Sequence, residues 1–226
     1  MYFTGSVANA GMTDATQGGS GSTDIIATEI QSGSGMSTTR ITFTLSASAQ
    51  TGDILVLFVS ARNNTGSFTA PAGWTENENV VSTTGSVLES SIFTYTVTGS
   101  DTPGTTTYNI DHSQGFVVLL GGLLTIRGLT IGNTNSNFDT TFNTTHGAPG
   151  VTTTGANALV LTSYTCVSSG SYTPRTGQTE LFDHNLVGVT QGAMSQTFAS
   201  AGATGNMPST FSSNNFNTGL TISMET

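Results

Sequence analysis

Hydrophobic residues in this chain recur at every second position. TRITFTL, residues 39–45, sets Ile41, Phe43 and Leu45 against Arg40, Thr42 and Thr44, the mark of a strand with one face in a core. SIFTYTVTG places Phe93, Tyr95 and Val97 on one face, and TTYNID does the same for Tyr108 and Ile110. DILVLFVSAR, residues 53–62, is apolar on both faces, which predicts a central strand covered on both sides. Clusters of Gly, Asn, Asp and Pro at 62–66, 70–73, 99–104, 111–115 and 132–150 punctuate these runs and are expected as turns. No stretch carries the i, i+3, i+4, i+7 stripe of an amphipathic helix, so the predicted class is all-β.

The runs also repeat. SFTAPAGWTE at 67–76 returns as SYTPRTGQTE at 171–180, and NALVLTSYT at 157–165 takes the place of DILVLFVSA. The two segments are expected in register from Asp53/Asn157 to Glu76/Glu180 without a gap. GAMSQTFASAGATG (192–205) resembles SIFTYTVTGSDTPG (91–104) with a shift of three, and GLTISM (219–224) resembles LLTIRG (123–128). A unit of about 100 residues is therefore expected twice, at about 50–128 and 154–226. One unit supplies five or six strands with an uncovered apolar face, and a second copy covers it. The predicted fold is a β-sandwich or jelly roll over residues 24–226, built from two tandem pseudo-repeats.

Residues 1–23 read differently. They are rich in Gly, Ser, Thr and Ala, with isolated anchors at Tyr2, Phe3, Val7 and Met12. Such a segment buries too little apolar area to fold alone. It is expected to be an extended N-terminal arm ordered by a neighbouring molecule, with those four side chains making the contact. The first residues show neither a basic n-region nor an apolar h-region, so no signal peptide is expected. FVVLLGGLLTI, 116–126, is too short to cross about 30 Å of hydrocarbon as a helix and is expected as a buried strand.

Charge narrows the possible partners. Charged residues make up 8% of the chain, lysine is absent, and the cations are Arg40, Arg62, Arg127 and Arg175. A formal net charge of −9 argues against a nucleic-acid surface, which draws its affinity from cations displacing phosphate counterions, and against an anionic membrane. Hydroxyl and amide contacts respond weakly to salt, which suits a particle exposed to varied ionic strength. Cys166 stands alone, excluding an intramolecular disulfide and fitting a reducing cytoplasm; it is expected as a small packed hydrophobe.

Few residues of the chain fall into a pattern that carries chemistry. No G-x-S-x-G elbow, P-loop, G-x-G-x-x-G or H-E-x-x-H occurs. Asp111-His112 and Asp183-His184 are expected in solvated turns, and neighbours on a strand point to opposite faces, so neither pair is a ready dyad. Asn133, Asn135, Asn137 and Asp139 present oxygens at spacing two, but the glycine and closing glutamate of an EF-hand loop are missing. Glu76 and Glu180 match by the repeat and are expected as exposed residues after the turn. No catalytic residue, metal or cofactor is therefore expected. Trp74, the single tryptophan, is read as a core plug, with Trp74 and Tyr172 as candidate sugar-stacking rings if exposed.

GDILVLFVSAR…APAGWTE, then FTYTV, TIRG, GVTTTGANALVL, GQTE and AGATG, resembles a β-sandwich family of tailed-bacteriophage structural proteins and secreted bacterial surface proteins. The resemblance covers about residues 50–226 and departs from the family where Gln178 replaces an aromatic. It implies a structural part of the virion. The expectation is a capsid decoration (cement) protein, made in the host cytoplasm, exposed on the particle exterior, and bound to the major capsid protein or other virion subunits. A homo-oligomer, taken as a trimer from shell symmetry, is expected. The alternative is a tail-fibre or adhesin module for host glycan, with Trp74, Tyr108, Tyr164 or Tyr172 in a groove.

Overall fold

All regular structure is β-strand in the described residues, 24–34, 39–62, 66–82, 87–114 and 118–226 of a computed structural model. The arm anchors Tyr2, Phe3, Val7 and Met12 lie outside them. The first half contributes β1 (Asp24–Ser34), β2 (Arg40–Thr44), β3 (Ile54–Arg62), β4 (Phe68–Thr69), β5 (Thr75–Val81), β6 (Leu88–Thr96), β7 (Thr107–His112) and β8 (Val118–Arg127). The second contributes β9 (Thr130–Ala148), β10 (Thr152–Thr153), β11 (Ala158–Cys166), β12 (Tyr172–Thr173), β13 (Thr179–Leu186), β14 (Val189–Phe198), β15 (Gly202–Ala203) and β16 (Met207–Glu225).

Two antiparallel main sheets carry the architecture. The first runs β1-β8-β3-β6-β5, and the second runs β9-β16-β11-β14-β13, the same order counted from the start of its half. A small outer sheet, β2-β7-β4, covers the first. In the second half the cover grows from unbroken strands: β9 and β16 pair along the main sheet and meet again where Thr145–Ala148 faces Met207–Thr210. β12 joins β16 there, and β10 pairs with β15.

Each main sheet is therefore buried on both faces, which explains its continuous apolar runs. Leu55, Leu57 and Val59 face outward onto Ile41, Phe43, Tyr108 and Ile110. Val56, Phe58 and Leu124 face inward onto Leu161, Phe182 and Ile222 of the other sheet. A third core joins Val160, Tyr164 and Cys166 to Tyr172, Met207 and Phe211. The expectation that the second unit covers an apolar face of the first holds for the inner face and is incomplete for the outer ones. Each half has a core and a cover of its own, and the halves share only the inner face.

The halves interlock reciprocally, as in an isologous dimer. β5 lies against β9, and β13 lies against β1. The hydroxyls of Thr134 and Ser136 donate to the Glu78 carboxylate, each at 2.8 Å. Phe182 sits on Gly122 of β8, where an added Cβ would come within 2.2 Å of the ring. A buried polar seam crosses the join: Ser60 Oγ lies 2.8 Å from Thr165 Oγ1, and Ser90 Oγ lies 2.7 Å from Thr218 Oγ1.

Three readings change against this geometry. The gapless register from Asp53/Asn157 to Glu76/Glu180 does not hold, because Leu55 and Leu57 face the outer core while Leu159 and Leu161 face the inner one. Ile54 and Val56 face the inner core as Leu159 and Leu161 do, so one residue fewer lies between Leu159 and Tyr172 than between Ile54 and Phe68, and an odd slip turns every side chain of a strand to the other face. The positive-φ residues before the two strands, Gly52 and Asn157, carry the same slip. Leu124 and Ile126 correspond by pairing to Ile222 and Met224, two residues beyond the match of LLTIRG to GLTISM. Finally, 132–150 is mostly strand rather than turn: β9 is a polar edge strand held by its hydrogen-bond ladder to β16, which composition alone does not reveal.

Candidate functional site

The repeated turn builds the most distinctive side-chain group of the first half. Gly73 adopts φ 90°, open to glycine, and the Trp74 N–H closes the turn on Pro71 O at 3.3 Å. That aims the half-buried Trp74 ring onto Tyr95, stacked at 5.3 Å between centroids, and edge-on to Tyr108 at 5.1 Å. Both phenols donate to Asp101, at 2.9 and 3.2 Å. Burial works to raise the Asp101 carboxyl, yet the Thr98 N–H and hydroxyl with the two phenols outweigh it and hold it below the usual range. Burial, reinforced by Asp101, pushes the Tyr108 phenol well up. Trp74 Nε1 is buried with no hydrogen-bond partner among the described residues. Trp74 is thus mainly a packing ring with its broad face already used.

The matching corner of the second half holds no such plug. Gly177 repeats φ 90°, and the Gln178 N–H donates to Arg175 O at 2.9 Å. Where the Tyr95 ring sits beneath Gly73, the Gln196 amide sits beneath Gly177. Gln178 takes the place of Trp74, and by strand pairing Met207 takes the place of Tyr108. The result is a cleft of about 260 Å³ walled by Arg175, Gln178, Gln196, Phe198, Thr204 and Asn206.

Tyr172, the other candidate stacking ring, is 2% exposed and offers no face to a sugar. Its position on β12 makes it part of the outer core, packed 4.7 Å from the Phe211 ring. The fully buried His146 completes that cluster, stacked on Phe211 at 5.1 Å. His146 Nε2 faces Asn143 O at 3.2 Å and so carries the proton; Nδ1 accepts from the Tyr172 hydroxyl at 3.0 Å. Burial lowers the His146 pKa to about 4 and raises the Cys166 thiol to about 12, so Cys166 behaves as a packed hydrophobe.

The acidic and imidazole candidates scatter. Asp111-His112 and Asp183-His184 lie on β7 and β13 rather than in solvated turns. Asp111 pairs at the surface with Arg40, 2.8 Å at Nη2, while His112 is buried with Nε2 3.3 Å from Glu89 Oε2. Burial raises the Asp183 carboxyl to about 6 against the opposing Tyr172 N–H, and burial lowers the His184 imidazole. Glu76 and Glu180 sit exposed on β5 and β13, edge strands of different sheets. Asn133 and Asn135 donate their amides to Thr152 O and Gly150 O, at 2.6 and 2.8 Å. Among the described residues no group of three or more His, Cys, Asp or Glu converges as metal ligands would.

Two surface features escaped the sequence reading. Phe142 is 59% exposed and clusters with Phe216 at 5.2 Å, beside Phe138. Val187, 61% exposed with φ 47°, tips the β13–β14 hairpin, and its carbonyl accepts from Arg62 Nη1 at 3.1 Å. The first hides inside the segment read as a turn; the second breaks the rule that β-branched residues avoid the left-handed region. Family models, curated proteins and solved structures give no match to this chain.

Proposed function

We propose that this protein is a bacteriophage virion structural component, a decoration protein bound to the outer shell by its N-terminal arm. The supporting observation is the contrast between body and arm. The body is a sandwich with one inner and two outer cores that covers its own apolar sheet faces, with a surface of hydroxyls and amides and 8% charge over the chain. The arm, rich in Gly, Ser, Thr and Ala, precedes Asp24, where β1 begins at the edge of the first main sheet. A chain leaving from a sheet edge is free to reach a neighbouring subunit, and Tyr2, Phe3, Val7 and Met12 are its apolar handles. The resemblance around GDILVLFVSAR…APAGWTE points the same way. The partner is the major capsid protein or a neighbouring virion subunit, and self-association is set by the symmetry of the shell.

Cosedimentation with shells stripped of this protein tests the proposal. The full chain is expected to pellet with shells, and a chain lacking residues 2–23 is expected to stay in the supernatant with unchanged circular dichroism. Retained binding of the truncated chain would remove the arm as tether. The adhesin reading calls for Trp74, Tyr108, Tyr164 or Tyr172 in a groove; Tyr108, Tyr164 and Tyr172 are buried and Trp74 is stacked on Tyr95, so none of the four offers a sugar a free, exposed ring.

A further inference from the structure

We propose that the cleft beneath Gly177 binds one acidic monosaccharide, with the sugar carboxylate on Arg175 and the ring hydroxyls on the surrounding amides. This inference goes beyond the virion reading and stands without it.

The equivalent corners of the two halves are filled differently. Trp74, Tyr95 and Tyr108 fill the first. Gln178, Gln196 and Met207 stand in their places in the second and leave about 260 Å³. That lies just below the range of roughly 300–1,000 Å³ for drug-sized sites, which fits a single sugar ring rather than an oligosaccharide.

Charge also sets this corner apart. Arg40 pairs with Asp111, Arg127 pairs with Asp53, and Arg62 donates to Val187 O. Arg175 is the remaining cation of the chain, and its guanidinium makes no hydrogen bond or ion pair among the described residues. No carboxylate lines the cleft beside it. In a chain of net charge −9, an unpaired guanidinium at the rim of a cavity is a place where an anion is attracted rather than repelled. Its planar fork matches a carboxylate in two parallel hydrogen bonds.

The rest of the wall combines polar and apolar side chains. Gln178 is held by its own neighbours, its Oε1 accepting from the Arg175 N–H at 3.0 Å and its Nε2 facing Tyr164 Oη at 3.4 Å. The side-chain amides of Gln196 and Asn206 make no hydrogen bond among the described residues. Each offers a donor and an acceptor, the pairing that vicinal hydroxyls require. Phe198, Met207 and Pro208 supply an apolar surface for the C–H face of a sugar ring. A bare carboxylate would engage Arg175 and leave these amides unused; a neutral sugar would leave the guanidinium unused.

NMR titration of the full chain with sodium glucuronate, glucose and acetate tests this. Glucuronate is expected to shift the side-chain amide signals of Gln196 and Asn206 saturably, with glucose and acetate each at least about tenfold weaker. Arg175→Gln, an exposed change, is expected to weaken glucuronate about tenfold. Gln178→Trp installs the ring that plugs the first half and is expected to abolish the shifts while the thermal midpoint stays at or above that of the unaltered protein. The proposal is overturned if glucuronate does not saturate, if acetate or glucose binds as well, or if either substitution leaves glucuronate binding unchanged. Binding of an acidic peptide in preference to glucuronate would overturn the sugar assignment specifically.

Discussion

The two halves share a strand order and a turn, yet the corner each turn builds is closed in one and open in the other. Gly73 and Gly177 hold the same φ of 90°, and each is followed by a residue whose N–H closes the turn. In the first half that residue is Trp74, locked between Tyr95 and Tyr108; in the second it is Gln178, facing an amide-lined cleft. The backbone positions the corner, and three side chains decide whether it is core or site. The outer cores differ in the polar group each encloses. In the first, buried His112 packs edge-on to Phe68 and meets Glu89; in the second, His146 is wedged between Tyr172 and Phe211.

The most drastic test strikes what the halves have in common. Phe58 is fully buried in the shared inner core, so Phe58→Ala is expected to cost about 3–5 kcal/mol and to lower one common unfolding transition. Two separated transitions in calorimetry would mean that the outer cores hold the halves independently.

A smaller effect separates the outer cores by pH. His146, with its pKa lowered by burial to about 4, stays neutral in the fold while the unfolded chain takes up a proton near 6.5. Its contribution is therefore complete above about pH 6.5 and is lost as pH falls toward 4, about 3 kcal/mol in all. Asp183, raised to about 6, acts in the opposite sense, favouring the fold at low pH and losing that contribution as pH rises toward 6. The His146 part is therefore read as the difference between the unaltered protein and His146→Gln in denaturant titrations across pH 4–6.5. Equal slopes for the two proteins would remove His146 as the source.

Trp74→Gln makes the first corner resemble the second. Losing a half-buried ring and two aromatic contacts is expected to cost about 2 kcal/mol and to leave Tyr95 open to solvent quenching, measured by denaturation and by tyrosine fluorescence. A cost near zero would show that the plug contributes little to the first half. The smallest change sharpens a hairpin that only the second half displays in the described residues. Val187 at φ 47° precedes Gly188 at φ 71°, a turn that favours Asn-Gly. Val187→Asn is expected to add about 0.5–1 kcal/mol, seen as a higher thermal midpoint.

Much of this fold is legible in the chain. Ile41, Phe43 and Leu45 alternate and are buried; β3 reads as central and is; of the run 116–126, read as a buried strand, the described part 118–126 forms most of β8. The site residues fared worse, for a physical reason. Tyr172 and His146 sit in stretches that look like polar turns, and only pairing with a distant strand draws them under cover. The Ser60–Thr165 contact joins residues 105 apart, and nothing local distinguishes those hydroxyls from exposed ones.

Period-two alternation by itself determined the all-β class and the apolar strands, because side-chain direction in a strand is a local property of the backbone, and the turn residues marked the reversal at Gly73 that the repeat places again at Gly177. Tertiary structure alone decided which face of β11 looks inward, that polar β9 is a strand, and that one corner is plugged while the other stands open. Each of these depends on what a remote strand places opposite, and a slip of a single residue along one strand is enough to exchange inside for outside.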